Sequence, residues 1–458
     1  MGVTVGIDIG TTSVKAVAAD DEGAVLARAR VPHPIVTPFA GAFEHDIELA
    51  WRTNVVEALR QVAQPLRQEI AAVNVAAMVP SLGAVDADGH AVGPGLLYGD
   101  ARGRSADRNT QPGDSGELLG FLGWLAANCP DAAGFWPAQG VANHALCGRG
   151  AIDSTTAVTA HPLFDFVGWD AELAAGAGTV PGTLPEVVGG TAPVGSISAE
   201  LPGAGALLAG GTIDALGEQL VAGSDEPGDV LVICGTTLIT WGVLPADAWT
   251  DVPGLWTIPH TAPGTCLIGG PSNAGGLFLD RARRWLSTVE ADELIALDPS
   301  DLPVWLPYVR GERTPLHDTS VTASVHGLTL AHTPAHVLQA AYEAAGFVVR
   351  HHLDLAAAGA GLAPRRLVAT GGGSNVAAWV QALADCTGLP VDVVAVPEGA
   401  ALGSAFIARC TAGYESNMTD ARRWAKTART VEPRAAWLEP AAERYESFRA
   451  LTAAATEA

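Results

Sequence analysis

Two short stretches of this chain, half its length apart, follow the same local plan. Residues 3–12 read Val-Thr-Val-Gly-Ile-Asp-Ile-Gly-Thr-Thr and residues 230–237 read Val-Leu-Val-Ile-Cys-Gly-Thr-Thr. Each β-branched apolar run ends on Gly-Thr-Thr, and a second apolar run begins within two residues, at 14–17 and at 238–241. This predicts a β-hairpin with a small, hydroxyl-rich turn. Glycine lets backbone N–H groups approach an anion closely, and threonine adds donors, so either turn can hold phosphate oxygens. A lone copy is ordinary turn chemistry. Two copies, one per half, predict two related domains acting on one nucleotide.

At 458 residues the chain is too long for one ordinary core and divides most simply into two domains of roughly 200 residues. We place the boundary at 224/225, because residues 223–228, Gly-Ser-Asp-Glu-Pro-Gly, have linker composition. Apolar residues make up 48% and charged residues 16%, which excludes disorder and fits a Gly/Ala-rich α/β protein. The net charge of -23 repels nucleic acid and anionic membrane, so an anionic substrate needs Mg²⁺ and oriented backbone dipoles. Cys129, Cys147, Cys234, Cys266, Cys386 and Cys410 show neither a Cys-x-x-Cys nor a zinc spacing and are expected as reduced thiols. No signal-peptide pattern opens the chain, and the uncharged stretch 230–246 is broken by Gly235, Gly242 and Pro245. The expectation is a cytoplasmic protein with a small-molecule partner, no nucleic acid and no membrane, for which a homodimer is one admissible assembly.

Residues 3–30 read as three consecutive strands, and 47–62 as a helix. Residues 73–85 read as a strand and its continuation, and 98–115 as a loop. Alternation puts Val3, Val5, Ile7 and Ile9 on one face, with Asp8 on the other, next to the first turn. Further on, a small-residue strand at 206–211 leads to Asp214 in the first turn of a helix. Thr333 caps a helix that starts at Pro334 and is packing, not chemistry. A strand ending in Gly371-Gly372-Gly373 then runs into an Ala-rich helix, leaving bare backbone against which a flat ligand can lie.

Taken in order, these segments resemble the FGGY family of carbohydrate kinases, in xylulokinase-like form. The motifs that carry the resemblance are 8–16, 98–102, 211–215, 229–237, 306–315, 371–375 and 398–404, nearly the whole chain. The resemblance implies the actin-like ATPase superfamily: an α/β chain of two ribonuclease-H-like domains with a nucleotide and sugar cleft between them. It implies ATP-dependent phosphorylation of a sugar or polyol hydroxyl, with ATP and Mg²⁺ as cofactors. Carried over residue by residue, Asp8 resembles the carboxylate that holds Mg²⁺, and Gly10, Thr11, Thr12, Ser13 and Lys15 resemble the contacts to the transferring phosphate. Gly235, Thr236 and Thr237 look like the second phosphate turn. Gly371, Gly372, Gly373 and Asn375 look like the adenosine platform, with Gly275 and Gly276 bordering the nucleotide. Asp214 is similar to the catalytic base, although a carboxylate at a helix N-terminus is also favoured by the dipole alone.

The sugar segment departs from the pattern. Xylulokinases have Ser-Gly-Gln-Met-His-Gly where residues 76–82 here read Ala-Ala-Met-Val-Pro-Ser-Leu, placing Val79 and Pro80 over the sugar-touching pair. The usual Trp-Asn-Asp is Tyr98-Gly99-Asp100 here, so Tyr98, Asp100 and Arg102 become the candidate substrate contacts, with a loop salt bridge as the other role for the last two. Residues 311–315, Gly-Glu-Arg-Thr-Pro, fit a surface turn as well as a family signature, and Asp46 fits an N-cap. A catalytically idle sugar- and nucleotide-binding switch is the competing reading, and an ATPase acting on protein partners a third.

Overall fold

The computed structural model describes residues 2–103 and 117–457. The part of the expected loop at 104–115 therefore lies outside the described residues. The chain forms two compact units, Met1–Val221 with Glu398–Trp424, and Ala222–Pro397 with Ala425–Ala458.

The main sheet of the first unit runs in the order Pro193–Ser196, Leu207–Ala209, Ile70–Ala77, Val3–Ile9, Ser13–Ala19, Val25–Pro32. The first three strands in sequence form an antiparallel meander. Ile70–Ala77 then adds parallel to the first strand, and Leu207–Ala209 parallel to that. The second unit repeats the plan. Asp229–Cys234, Leu238–Pro245 and Thr265–Ser272 make the meander, Arg366–Thr370 joins parallel to the first of them, and Val391–Val394 follows. The duplicated hairpins thus head two sheets of the same topology, in which the strand bearing each hairpin sits centrally.

Central strands are covered on both faces, which explains why every residue of Val3–Ile9 is buried, Asp8 included. The cover on one face is the helix Gly399–Thr411, so residues 398–424 pack with the first unit, not with the second as the 224/225 division had it. Small residues make this possible. A Cβ on Gly6 would lie 1.9 Å from the Ala401 carbonyl oxygen, and one on Gly403 would lie 2.0 Å from the Gly217 carbonyl oxygen. Backbone meets backbone at this contact. The side chain of Asn74 fastens it by donating to Ser404 Oγ at 3.0 Å.

Two local readings change. Residues 73–85 are not one continuous strand: the run breaks at Val79-Pro80, and Ser81–Val85 leaves the main sheet for a separate one with Gly95–Leu97 and Gly134–Trp136. Proline lacks the N–H that a sheet interior needs, so the ladder cannot run through it. The helix expected over 47–62 opens with a π-helical stretch, Glu48–Thr53, before Asn54–Ala63 becomes α-helical. Asp46 caps it as expected, accepting the Leu49 N–H at 3.0 Å. Pro334–Ala360 forms as read, with Thr333 at its N-cap and Leu338, Tyr342, Val349 and Leu353 in the core of the second unit. Among the described residues no helix is long and apolar enough to cross a membrane.

Replacing Gly403 by alanine forces a methyl group into a main-chain carbonyl and should cost about 2–3 kcal/mol or abolish folding. Gly123→Ala, in a helix with open space at its Cβ position, should be neutral or stabilising by up to about 1 kcal/mol. Urea denaturation of the two variants checks the contrast, and equal midpoints would contradict the account of the packing.

Candidate active site

In the first unit the candidate residues Asp8 and Asp214 gather where three strands end side by side. Asp8 and Thr212 both stand level with Ala76, on opposite sides of Ile70–Ala77. Two strand spacings separate those neighbours, roughly 10 Å. Asp214 follows two residues after Thr212 as the first residue of the helix Asp214–Ala222. Asp214 is only partly buried, yet neighbouring atoms crowd its carboxyl, and that desolvation, reinforced by the negative charge of Asp8, pushes its pKa up to about 6. Lys15 sits opposite Asp8 on the neighbouring strand, with Nζ 3.2 Å from Asp8 Oδ2. The Asp8 charge is the main reason the Lys15 pKa is raised, and Glu218, one turn beyond Asp214, adds to it. Lys15, expected on phosphate, is thus placed on Asp8.

The turn beside Asp8 is held from behind. Gly10 N–H closes the hairpin onto the Ser13 carbonyl at 3.1 Å. The Thr11 carbonyl accepts from His45 Nε2 at 2.8 Å, and the Thr12 carbonyl from the His33 N–H at 3.0 Å. In a trans peptide the C=O and the following N–H point in opposite directions, so the Thr12 and Ser13 N–H groups face away from these partners. The tautomer of His45 is set by Trp51, whose indole N–H donates to Nδ1 at 3.0 Å and leaves Nε2 as the donor. Burial lowers the His45 pKa to about 4, which keeps the ring neutral.

The second turn is built the same way with different parts. Gly235 N–H closes onto the Thr237 carbonyl at 3.1 Å, and the carbonyls of Gly235 and Thr236 accept from the N–H groups of Gly276 and Leu277 at 2.8 and 3.0 Å. The N–H groups of Thr236 and Thr237 therefore point away from the helix Gly276–Trp285. A Cβ on Gly275 would lie 2.2 Å from the Thr237 carbonyl carbon, so only glycine allows this approach. The strand Arg366–Thr370 ends beside it, Thr370 standing level with Ile233. There Gly371 takes a φ of 80°, and a Cβ on Gly373 would strike the Trp379 ring at 2.1 Å. Gly372 is exposed with open space around it, and the exposed Asn375 donates to the Gly372 carbonyl at 3.3 Å. The second unit thus brings together residues 235–237, 275–276 and 371–375.

The candidate substrate residues are placed unequally. Val79 and Pro80 line an apolar crevice of about 20 Å³ with Leu122, Phe135, Leu163 and Trp169. The Tyr98 hydroxyl lies 2.9 Å from Thr11 Oγ1, tying that loop to the first turn. Asp100 is fully buried. Its Oδ2 accepts from the Phe43 N–H at 2.6 Å, while its two oxygens together hold the Arg102 guanidinium at 2.8 and 2.6 Å. Arg102 also reaches Glu44 and stacks over Trp124, 4.7 Å from the ring centroid. These contacts fit the loop salt bridge. They give neither residue a clear path to a sugar hydroxyl.

Several residues that shape the site gave no signal in the sequence. On the helix Ala138–Cys147, Gln139 donates to the Ala77 and Thr212 carbonyls at 3.2 and 3.0 Å, and Asn143 to the Ala151 and Gly210 carbonyls at 2.8 and 2.9 Å. This i, i+4 amide pair fixes the segment that leads into Asp214. In the sequence they are two amides four residues apart in a helix that also carries His144, and their burial is visible only in the structure. Residues 311–315 are not a surface turn: Glu312 and Thr314 are buried. Glu312 accepts from the Ser272 hydroxyl and from the N–H groups of Asn273 and Arg313, each at 2.7 Å. Burial nevertheless pushes its pKa up to about 7.

Residues 3–116 match the N-terminal domain model, and residues 230–412 the C-terminal domain model, of the FGGY family of carbohydrate kinases. The chain is 29% identical to a xylulose kinase of Streptomyces rubiginosus, over 94% of this chain and 92% of that protein. It is 24% identical to a probable L-xylulose kinase of Pasteurella multocida, over 99% of both. Among solved structures it is similar to a xyloylose kinase from Brucella ovis, with a TM-score of 0.81, 25% identity and 99% of each chain covered.

Carbon-detected NMR titration of the Asp214 carboxyl should give a pKa near 6. In Asp8→Asn that value should fall toward the ordinary aspartate range near ~3.9, since one of the two raising influences is gone. An unmoved titration in the variant would remove Asp8 from the account.

Proposed function

Since the chain belongs to the FGGY family of carbohydrate kinases, we infer that it transfers the terminal phosphoryl group of ATP to a hydroxyl of a sugar or polyol. The observation that carries the chemistry is Asp214, at the start of a helix, whose pKa is pushed up to about 6 by desolvation and by the charge of Asp8, the residue that leads into the Gly10–Ser13 turn. At neutral pH it is ionised, yet it is a stronger base than an ordinary aspartate. It accepts the proton of the acceptor hydroxyl as that oxygen bonds to the γ-phosphorus and the bond to the β-phosphate oxygen breaks, releasing ADP. The loose transition state needs little beyond in-line positioning and donors for the equatorial oxygens. In this reading the N–H groups of Thr12 and Ser13 are the donors of the first unit's turn, beside the positive charge of Lys15, and those of Thr236 and Thr237 the donors of the second unit's turn. Gly371–Gly373 and Asn375 carry the adenosine.

Among the described residues no group of three or more side chains could by itself cage a metal ion. Magnesium seldom needs one, because it binds through one or two carboxylates, water and substrate phosphates. Asp8, buried at the strand end with Asp214 as its acidic neighbour, fits that requirement. When bound, Mg²⁺ supplies charge neutralisation on the phosphate oxygens.

The relatives named above are xylulose and L-xylulose kinases, but their sugar need not be this chain's. Val79 and Pro80 offer no side-chain donor or acceptor, so in this reading the polar contacts to the acceptor's hydroxyls come from other groups. An idle binding switch gains nothing from this geometry, because binding alone does not call for a base with a raised pKa. All six cysteines are free thiols, which fits the cytosol, where ATP is supplied.

Turnover of Mg·ATP, followed as ADP release over a panel of ketoses, pentitols, deoxy sugars, glycerol and aldonates, identifies the acceptor. Asp214→Asn should retain nucleotide binding and lose roughly 10²- to 10⁴-fold in turnover. The wild-type rate should rise with pH through about 6 and level off above it, because the base acts ionised. Near-normal turnover of the variant would remove Asp214 from the base role. Asp8→Ala should raise the Mg²⁺ concentration needed for half-maximal rate, and an unchanged Mg²⁺ dependence would contradict its assignment.

A further inference from the structure

The Gly311–Pro315 motif has no part in the chemistry above, yet it holds one of the most enclosed carboxylates of the second unit. Glu312 Oε1 accepts from the Asn273 and Arg313 N–H groups, and Oε2 from the Ser272 hydroxyl. Ser272 Oγ in turn accepts the Ala274 N–H at 3.0 Å. The Asn273 amide donates to the Arg310 and Gly311 carbonyls at 3.3 and 3.1 Å, and the Thr314 N–H and hydroxyl both reach the Pro271 carbonyl, at 3.1 and 2.8 Å. Residues 271–274 are therefore hung from residues 310–314.

The two glycines next in the chain carry that anchorage to the turn at 235–237. Gly275 and Gly276 press against it, and the Gly276 and Leu277 N–H groups hold the Gly235 and Thr236 carbonyls. Those two hydrogen bonds fix the planes of the peptides whose N–H groups belong to Thr236 and Thr237. A carboxylate suits the far end of this chain of contacts because it only accepts, and three donors converge on it. We propose that Glu312 is a positioning residue for the nucleotide phosphates, acting through Ser272–Gly276 to aim the Thr236 and Thr237 N–H groups. The proposal rests on the reading of that turn as a phosphate cradle.

The test is calorimetric affinity of the full-length protein for ADP and for adenosine, the second measured by competition where it is weak. Wild type should prefer ADP. Glu312→Leu should lose about tenfold or more in ADP affinity while adenosine changes by less than about twofold, because the donors are misaimed but the base platform is intact. Glu312→Gln, whose amide oxygen accepts the two backbone N–H groups while its NH₂ donates to Ser272 Oγ, should restore most of the preference. A general loss of structure would weaken both ligands together and would not be rescued. Should the leucine variant fail to fold, Ser272→Ala, which removes one link, should still narrow the preference for ADP. A wild-type ADP-to-adenosine ratio in Glu312→Leu or in Ser272→Ala overturns the proposal while leaving the cradle standing. A wild-type protein that binds adenosine as tightly as ADP overturns the cradle itself, and the proposal with it.

Discussion

A planar trans peptide cannot aim its N–H without something holding its C=O, and this constraint organises both units. At Gly10–Ser13 the holders are a neutral imidazole and the His33 backbone; at Gly235–Thr237 they are the first N–H groups of a helix. Two hairpins of common plan have thus been given unrelated supports for the same purpose. The supports have supports of their own. His45 is a donor at Nε2 because Trp51 donates to Nδ1, and the helix at Gly276 is seated by a loop that hangs from Glu312. His45, Trp51, Ser272 and Glu312 in these layers are buried, where an unmade hydrogen bond is costly, so the geometry of each turn depends on groups beneath the surface.

Glycine serves a second purpose here, close approach of backbones. The first strand of the chain is covered by a helix almost four hundred residues later in sequence, and Gly6, Gly217 and Gly403 are what let the chains touch. Asp8, buried at the end of the first strand, lies near that contact, and the crowding around the partly buried Asp214, with the charge of Asp8, raises the Asp214 pKa. Packing and chemistry are therefore not separable in this part of the molecule: the enclosure that stabilises the sheet also strengthens the base.

The hairpins, Asp8, the helix start at Asp214, the Thr333 cap and the triple glycine were all legible because each depends on local rules of alternation, capping or turn formation. The membership of residues 398–424 was not, since no local pattern says which of two similar sheets a small-residue helix will cover. Residues 311–315 misled for a related reason. A glutamate and an arginine beside glycine and proline look like a solvated turn, and only the converging donors of Ser272 and Asn273 make burial of Glu312 tolerable. Asp100 and Arg102 could equally have met a sugar or each other until Phe43 and Glu44 were brought beside them. Gln139 and Asn143 carry no motif at all.

By itself the sequence determined the duplicated plan and the carboxylates and glycines available for chemistry, because period, turn composition and motif order are properties of neighbouring residues. The tertiary structure alone decided which polar groups stand behind the turns, which arginine is engaged, which unit owns the late helix, and how far the Asp214 pKa is raised. Those outcomes depend on burial and on partners distant along the chain, and neither is encoded in any window of sequence short enough to read.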